Sequence, residues 1–171
     1  SEDAAQGSAI PASGAFVLLA RQGSTEVEIL TGEVSDVDLL SDIPLVVDGV
    51  AREVFALVPY RQVRERGFSV HDDGAPLRTL VVDRHARVPR AELMAELPTT
   101  PIPLADPGFD ISDEEYAEIV RTVIRDEIGR GEGANFVIRR DYVAGVDADP
   151  RVAALTWFRA LLTHERGAYW T

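Results

Sequence analysis

The sequence contains no cysteine, no lysine and no apolar run of the roughly 20 residues that a membrane-spanning helix needs. Without cysteine, neither a disulfide framework nor a thiolate metal site can form. Without lysine, the chain supplies neither a Schiff-base amine nor the lysine of a P-loop. The stretch from Ser1 to Ser13 is small and acidic, unlike a basic export signal. We therefore expect a soluble protein, located by default in the reducing cytoplasm.

Basic residues are also few: 17 arginines stand against 29 acidic residues, which gives a formal net charge of -12. This charge repels nucleic acid and anionic membranes, so we expect neither as a partner. An anionic metabolite would need a local basic pocket or a metal ion in order to bind. Hydrophobic residues make up 46% of the 171 residues, which is typical of a globular domain with a real core.

Residues 1–14 are rich in alanine, serine and glycine and show no hydrophobic periodicity. This composition predicts a flexible leader with no part in the chemistry. The rest of the chain contains no internal repeat, and we predict that residues 15–171 fold together.

The first half of the chain carries the signals of a β-sheet. Phe16–Ala20 and Glu26–Leu30, on either side of a turn at Gly23, predict a hairpin. Val54–Val58 and Leu77–Val82 also have strand composition, and the second of them follows an Asp-Asp-Gly-Ala-Pro turn.

A short helix is predicted over Pro89–Leu97, followed by a proline-rich crossing of the surface in extended form over Pro98–Asp110. The clearest helix begins at Ser112, because Glu115 completes a capping box with it. Apolar residues at helical spacing then form a stripe that we expect to pack on a sheet. The stripe consists of Tyr116, Ile119, Val120, Val123, Ile124 and Ile128.

Beyond that helix, three glycines predict its end, and Ala134–Val143 has the pattern of a strand. A last helix is predicted from about Asp149, with Pro150 at its first position and Gly167 closing it. Its inward residues are predicted to be Val152, Leu155, Phe158, Leu161 and Leu162. Ala168–Thr171 then begins a strand at two aromatic residues, which favours a longer polypeptide. Without alternating parallel strands and helices, the fold class is α+β, an antiparallel β-sheet with packed helices.

The three histidines have weak signals for chemistry. His71 precedes two aspartates and could serve as a metal ligand or general base, but a loop between strands is the favoured interpretation. His85 and His164 have no second ligand nearby in the sequence, which favours surface roles.

Charged and glycine-rich clusters are equally open to structural explanations. The glycines from Gly129 to Gly133 follow a helix and precede a strand, which is the wrong order for a phosphate cradle. An acidic first helical turn explains Glu114, Glu115 and Glu118 better than a Mg²⁺ site. The one dense basic patch contains Arg61, Arg64 and Arg66. It could hold a carboxylate or an acidic partner, and a salt-bridged turn is an equal alternative.

Five stretches, in order along the chain, are similar to chorismate-binding enzymes of the anthranilate synthase large-subunit type. They are Leu57–Phe68, His71–Leu77, Gly108–Ala117, Asp126–Arg140 and Gly167–Thr171. The form Gly-Glu-Gly-Ala-Asn-Phe-Val-Ile resembles the phenazine-type 2-amino-2-desoxyisochorismate (ADIC) synthases in particular. The resemblance implies that residues 15–171 are the N-terminal part of the synthase domain, with the fold of that large subunit.

The resemblance also implies a reaction, in which ammonia from glutamine attacks ring carbon 2 of chorismate and the 4-hydroxyl departs. The partners it implies are chorismate, ammonia, a glutamine amidotransferase domain or subunit, and the rest of the synthase domain. The implied cofactor is Mg²⁺, held in the family after the position of Thr171. No catalytic, cofactor-binding or metal-binding residue is therefore assigned to this chain.

In anthranilate synthases, the segment matching Gly167–Thr171 contributes to a tryptophan feedback pocket. By this resemblance, Tyr169 and Trp170 could be a remnant of such a pocket and fill it themselves, so we expect weak or absent tryptophan binding. The favoured interpretation of these two residues, and of Phe136 and Ile138, is nevertheless that they are simply core residues of a sheet.

Two alternative functions stay open at this point. An anthranilate synthase large subunit has the same fold and substrate but a different product. A binding or regulatory module without catalysis is the alternative of another class. The oligomeric state is also open, with a homodimer as one alternative.

Overall fold

The computed structural model describes residues 7–133 and 135–171, and it divides into two compact units. The first unit contains residues up to Thr99 together with Trp157–Thr171, and the second is Thr100–Thr156. The strands of the described residues are β1 (Phe16–Arg21), β2 (Glu26–Val37), β3 (Val46–Val47), β4 (Val50–Ala51), β5 (Val54–Leu57), β6 (Leu77–Pro89), β7 (Leu104–Phe109), β8 (Tyr142–Val146) and β9 (Tyr169–Trp170). The α-helices are α1 (Arg90–Glu96), α2 (Asp113–Thr122) and α3 (Pro150–His164).

The first unit is built on an antiparallel sheet with the strand order β5-β6-β2-β1-β9. The hairpin of β1 and β2 confirms the prediction, and Gly23 adopts the left-handed φ of 76° that its turn requires. β2 and β6 are longer than their apolar patterns predicted, because each pairs with the other along its whole length. The α+β class with an antiparallel sheet is therefore confirmed.

The core of this unit comes from the alternating apolar side chains of the central strands. Val27 and Leu77 are fully buried, and Leu30, Leu80 and Val82 form a buried cluster. Thr79 is the polar exception among the fully buried side chains, and its hydroxyl bonds both the hydroxyl and the carbonyl oxygen of Ser35, across β2 and β6. Pairing inside the protein removes the cost of burying this hydroxyl.

Helix α1 packs against β2 and β6 and confirms the predicted helix. Leu93 and Leu97 lie on its buried side, 0% and 2% exposed. Two arginines tie α1 to the C-terminal part of α3. Arg90 donates to the carbonyl oxygen of Leu162, and Arg159 donates to that of Met94.

Part of the predicted flexible leader, residues 1–6, lies outside the described residues. Within the rest of it, Glu96 holds three residues: its carboxylate accepts from the Ser8 hydroxyl at 2.6 Å, from Ala9 N at 3.0 Å and from Ile10 N at 3.4 Å. The side chain of Ile10 is buried. Residues 8–10 are therefore anchored by a distant carboxylate, a partner that local composition does not show, and the mobility of the leader stays a prediction.

Replacing Glu96 by glutamine is expected to release this anchor. The hydroxyl of Ser8 first, and then the amide of Ala9, hold the pKa of Glu96 below its usual 4.5. A lowered pKa means that the anchor contributes above pH 4.5 and is lost as the pH falls through the lowered folded value. Because Glu96 is exposed, the effect on the free energy of unfolding is less than about 1 kcal/mol.

Amide protection factors of Ala9 and Ile10 measure this effect, because they are corrected for intrinsic exchange. Protection is expected to fall in Glu96→Gln at neutral pH and in the wild type only under acid. Glu92→Gln, in the first turn of the same helix, is the matched control. Equal protection in both variants would contradict the anchor.

In the second unit, β7 confirms the extended form predicted over Pro98–Asp110, and it pairs antiparallel with β8, which the prediction did not include. The pairing register shifts between Ala105 and Gly108, and Asp106 there has a positive φ of 46°. Pro107 lies in this irregularity, where its missing N–H leaves no ladder bond unmade. Pro107 can therefore occupy this strand, although proline in a sequence usually argues against a paired strand.

Helix α2 begins as predicted, because the Ser112 hydroxyl accepts from Glu115 N and the Glu115 carboxylate accepts from Ser112 N. The helical path continues as a π-turn over Val123–Glu127 and a 3₁₀ turn over Ile128–Arg130. It ends at Gly131, whose φ is 79°, which confirms the predicted glycine stop.

The predicted strand Ala134–Val143 is wrong for most of its length: the strand observed is β8, and residues 135–141 form none. Residue 134 lies outside the described residues. A strand needs a neighbour for its backbone hydrogen bonds, and an alternating sequence pattern does not say whether one is present.

Helix α3 starts at Pro150 as predicted and ends at His164, earlier than the expected stop at Gly167. Phe158 and Leu162 are buried as expected, but Val152 is 41% exposed, which corrects its predicted inward position. Within the described residues, the helices are too short or too polar to cross a membrane.

Candidate functional site

The aromatic strand singled out by the sequence is β9, and its predicted strand conformation is confirmed. It pairs antiparallel with β1, Trp170 opposite Ala20 and Tyr169 opposite Arg21. A further bond from Gln22 N to the carbonyl oxygen of Ala168, at 2.9 Å, continues the contact. Strand β1 of the N-terminal hairpin therefore lies directly beside these aromatic residues.

The Trp170 ring lies across the backbone of Gly167. A Cβ at Gly167 would lie 2.6 Å from the ring atom Cζ2, closer than any normal contact, so glycine leaves the space that the ring occupies. Trp170 is half-buried, whereas Tyr169 is 63% exposed. One of the two aromatic rings is thus packed on its own chain, and the other faces solvent.

The favoured prediction that these aromatic and apolar residues are sheet core is wrong for two of them. Phe136 is 40% exposed and lies outside any strand, and Tyr169 is mostly exposed although it lies in one. Ile138 and Trp170 are half-buried. Burial needs a second layer over the residue, which the spacing of apolar residues alone does not report.

The arginine patch lies on a 3₁₀ helix, Tyr60–Arg66, that ends at Gly67 with a φ of 84°. Arg61 and Arg64 each place a guanidinium nitrogen 3.4 Å from the carboxylate of Asp72. The Gly74 amide first, and then these two guanidinium groups, lower the pKa of Asp72. The patch is therefore a salt-bridged turn, the second of the two predicted alternatives, which leaves less charge for a bound anion.

His85 lies between two carboxylates, a contact that sequence reasoning missed. Its Nε2 is 2.8 Å from Glu28 and its Nδ1 is 3.0 Å from Glu53. A hydrogen bond from Arg21 to Glu28 is the largest cause of a lowered pKa of Glu28. The signal is the pairing register: Glu28 faces Arg87 across β2 and β6, which places His85 diagonally opposite. Because Glu28 and Glu53 are far from His85 in the sequence, local patterns did not show this contact.

The other candidates for chemistry lie in a loop and in helices, and two of them have structural partners. His71 lies in the irregular loop before β6, and His164 ends α3. Glu115 is used in the helix cap, and Glu118 pairs with Arg121 at 2.5 Å. In the described part of the chain, no three histidine or acidic side chains are grouped to hold a metal ion.

A shallow groove of about 240 Å³ is present in the second unit. The apolar stripe of α2 and its continuation forms one side, and Phe136 and Ile138 form the other. The Tyr116 hydroxyl reaches the carbonyl oxygen of Ile138 at 3.5 Å. This groove corrects the prediction that the stripe packs on a sheet, because an irregular segment faces it instead.

Comparison with curated proteins shows that the chain is similar to two phenazine-specific anthranilate synthases. The chain is 43% identical over 167 residues to "Anthranilate synthase, phenazine specific" of Pseudomonas chlororaphis. It is 41% identical over 162 residues to the protein of the same name from Pseudomonas fluorescens. These matches cover 94% and 91% of the chain and confirm the resemblance predicted from its motifs.

The chain spans only about a quarter of these relatives, 26% and 25% of their respective lengths. No protein-family model matches it.

Proposed function

We propose that this chain is part of an ADIC synthase, an aminating lyase or transferase of aromatic natural-product biosynthesis. The observation that carries the proposal is the identity of 41–43% to two phenazine-specific synthases over nearly the whole chain. The antiparallel sheet with packed helices is consistent with the N-terminal part of the anthranilate synthase large-subunit fold. We place the enzyme in the cytoplasm.

The proposed reaction joins ammonia to chorismate. The nitrogen forms a bond to ring carbon 2, and the 4-hydroxyl leaves as water, so that the enolpyruvyl group is retained. A glutamine amidotransferase domain or subunit is the proposed source of ammonia. Mg²⁺ would help to neutralise substrate carboxylates and the departing hydroxyl.

The described residues do not fit a Mg²⁺ site, because their acidic groups are dispersed or engaged in salt bridges. We therefore derive no step through the ion in this chain and propose that the remainder of the synthase holds it. The net charge of -12 supports the same placement for chorismate, since it repels an anionic substrate at long range.

Product analysis of the full-length protein tests the proposal. Incubation with chorismate, Mg²⁺ and an ammonium salt is expected to give a non-fluorescent aminated product that retains the enolpyruvyl group by mass. Fluorescent anthranilate as the main product would favour the second candidate, an anthranilate synthase, which the printed names of the relatives support.

We further predict weak or absent tryptophan binding by the full-length protein. The proposal is supported by the ring of Trp170, which lies over Gly167 in a strand beside β1, and we propose that this ring fills the space that a free indole would need. Isothermal titration calorimetry with tryptophan is expected to give a Kd of about 1 mM or weaker. A micromolar Kd would contradict the idea that the chain fills this space itself.

A further inference from the structure

Among its described residues, the second unit has secondary structure but buries only the small side chain of Ala153, which is 2% exposed. Between Pro98 and Val152, no described residue is buried. In the first unit, by contrast, Val27, Leu77 and Leu93 are completely buried. Burial of apolar surface is the main favourable term in folding, so a helix and two strands without it need cover from elsewhere.

Both faces of the β7–β8 pair carry exposed apolar side chains. Tyr142 is 58% exposed and Val143 is 56% exposed. Neighbouring residues of a strand point to opposite faces, so neither face is covered. A two-stranded sheet is marginal in water and needs further strands or a packed layer.

Residues 135–139 have the alternation of a strand but no strand neighbour. Phe136 and Ile138 line the groove against α2, and Val137 between them is 94% exposed. The segment leads directly into β8, and Asp141 already extends the pairing: its carbonyl oxygen accepts from Asp110 N, and its N–H donates to the side-chain carboxylate of Asp110. One side of this extended segment thus faces α2, and the other side, which carries Val137, is exposed.

We propose that a β-strand from the remainder of the synthase polypeptide adds to residues 135–139, so that the segment continues β8 as a strand. Apolar side chains of that remainder cover Val137 and fill the groove. The inference rests on the proposed function, because it takes this chain to be one part of a longer synthase.

The remainder of the polypeptide is a better occupant than a second copy of this chain. The relatives contain far more polypeptide than this chain matches, and a covalently linked segment binds at a high effective concentration. A second copy would offer the same segment, whose groove-facing side chains, Phe136 and Ile138, already face their own α2.

Hydrogen exchange of the full-length protein, read by mass spectrometry, tests this. Peptides that cover residues 135–139 are expected to exchange at least a hundred-fold more slowly than unstructured peptides of the same sequence. Exchange at the unstructured rate would overturn the proposal. Protection that disappears on dilution would also overturn it, because it would indicate a second copy.

Two variants at Val137 distinguish protection by an added strand from protection that the segment has by itself. Val137→Asp is expected to speed exchange of residues 135–139 at least ten-fold, since a carboxylate would be buried by the added strand. Val137→Ile keeps an apolar, β-branched side chain and is expected to leave exchange unchanged. Equal protection in both variants would overturn the proposal, and if Val137→Asp fails to fold, the wild-type measurement decides alone.

Activity measured on the same full-length preparation keeps the two proposals distinguishable. A protein that aminates chorismate but leaves residues 135–139 unprotected would overturn the strand addition and leave the function standing. A protein that protects the segment but yields no aminated product would overturn the function and leave the strand addition standing.

Discussion

Replacing Gly32 by alanine is expected to lower the free energy of unfolding by about 3 kcal/mol or more. Gly32 lies where the register of β2 against β6 shifts, next to Thr31. A Cβ there would lie 1.8 Å from the carbonyl oxygen of Val81 and 3.1 Å from the Cα of Val82. These are backbone atoms of a paired strand, so no side-chain rotation can relieve the clash, and the two longest strands must separate locally.

Gly108→Ala is the matched control, because a Cβ at Gly108 meets nothing within 4 Å and its φ is not positive. Its expected effect is within about 0.5 kcal/mol. Urea unfolding followed by tryptophan fluorescence measures both variants. A Gly32→Ala variant as stable as the control would show that the irregularity between β2 and β6 relaxes without cost.

Replacing Leu93 by alanine is expected to cost about 2–5 kcal/mol. Leu93 is completely buried on the side of α1 that packs against β2 and β6. Truncation removes the burial of three carbon atoms and leaves a cavity that the hydrogen bonds of Arg90 and Arg159 to α3 and α1 keep from collapsing. The loss should therefore lie in the upper half of that range.

Leu45→Ala is the control for the same chemical change at an exposed position, since Leu45 is 58% exposed. Its expected effect is less than about 0.5 kcal/mol. Thermal and urea unfolding compare the two variants. If they lose similar stability, α1 does not contribute the core that its burial indicates.

Local sequence signals correctly predicted those parts of the fold whose interacting residues lie close together in the sequence. The capping box of Ser112 and Glu115, the glycine at the turn of the first hairpin and the proline at the start of α3 each act within a few residues. Sequence reasoning finds such features because their partners are adjacent.

Contacts between distant segments could not be predicted in this way. The register of β2 against β6 brings Glu28 to His85, and Glu96 anchors residues 8–10, although neither pair is close in sequence. The segment 135–141 has a strand pattern but lacks a neighbour, which alternation cannot reveal. Long-range pairing, rather than propensity, decides these features.

The candidate site was predicted at two levels. The aromatic strand Tyr169–Trp170 was found from its residues and is confirmed as a strand, but its pairing with β1 and the exposure of Tyr169 were not predicted. The resemblance to phenazine-type synthases came from ordered motifs, and the similarity to two such proteins confirms it. Local residue patterns predicted no catalytic group in this chain. Function depends on residues that the fold brings together in a site, and local patterns do not show which residues meet.

The intact mass of the polypeptide in its native source decides whether this chain is one part of a larger chorismate-aminating synthase. We expect a single polypeptide several-fold heavier than the 18.7 kDa of this chain, with these residues in it. A native mass of 18.7 kDa would show that the chain is not part of a larger synthase and would favour a binding or regulatory module without catalysis.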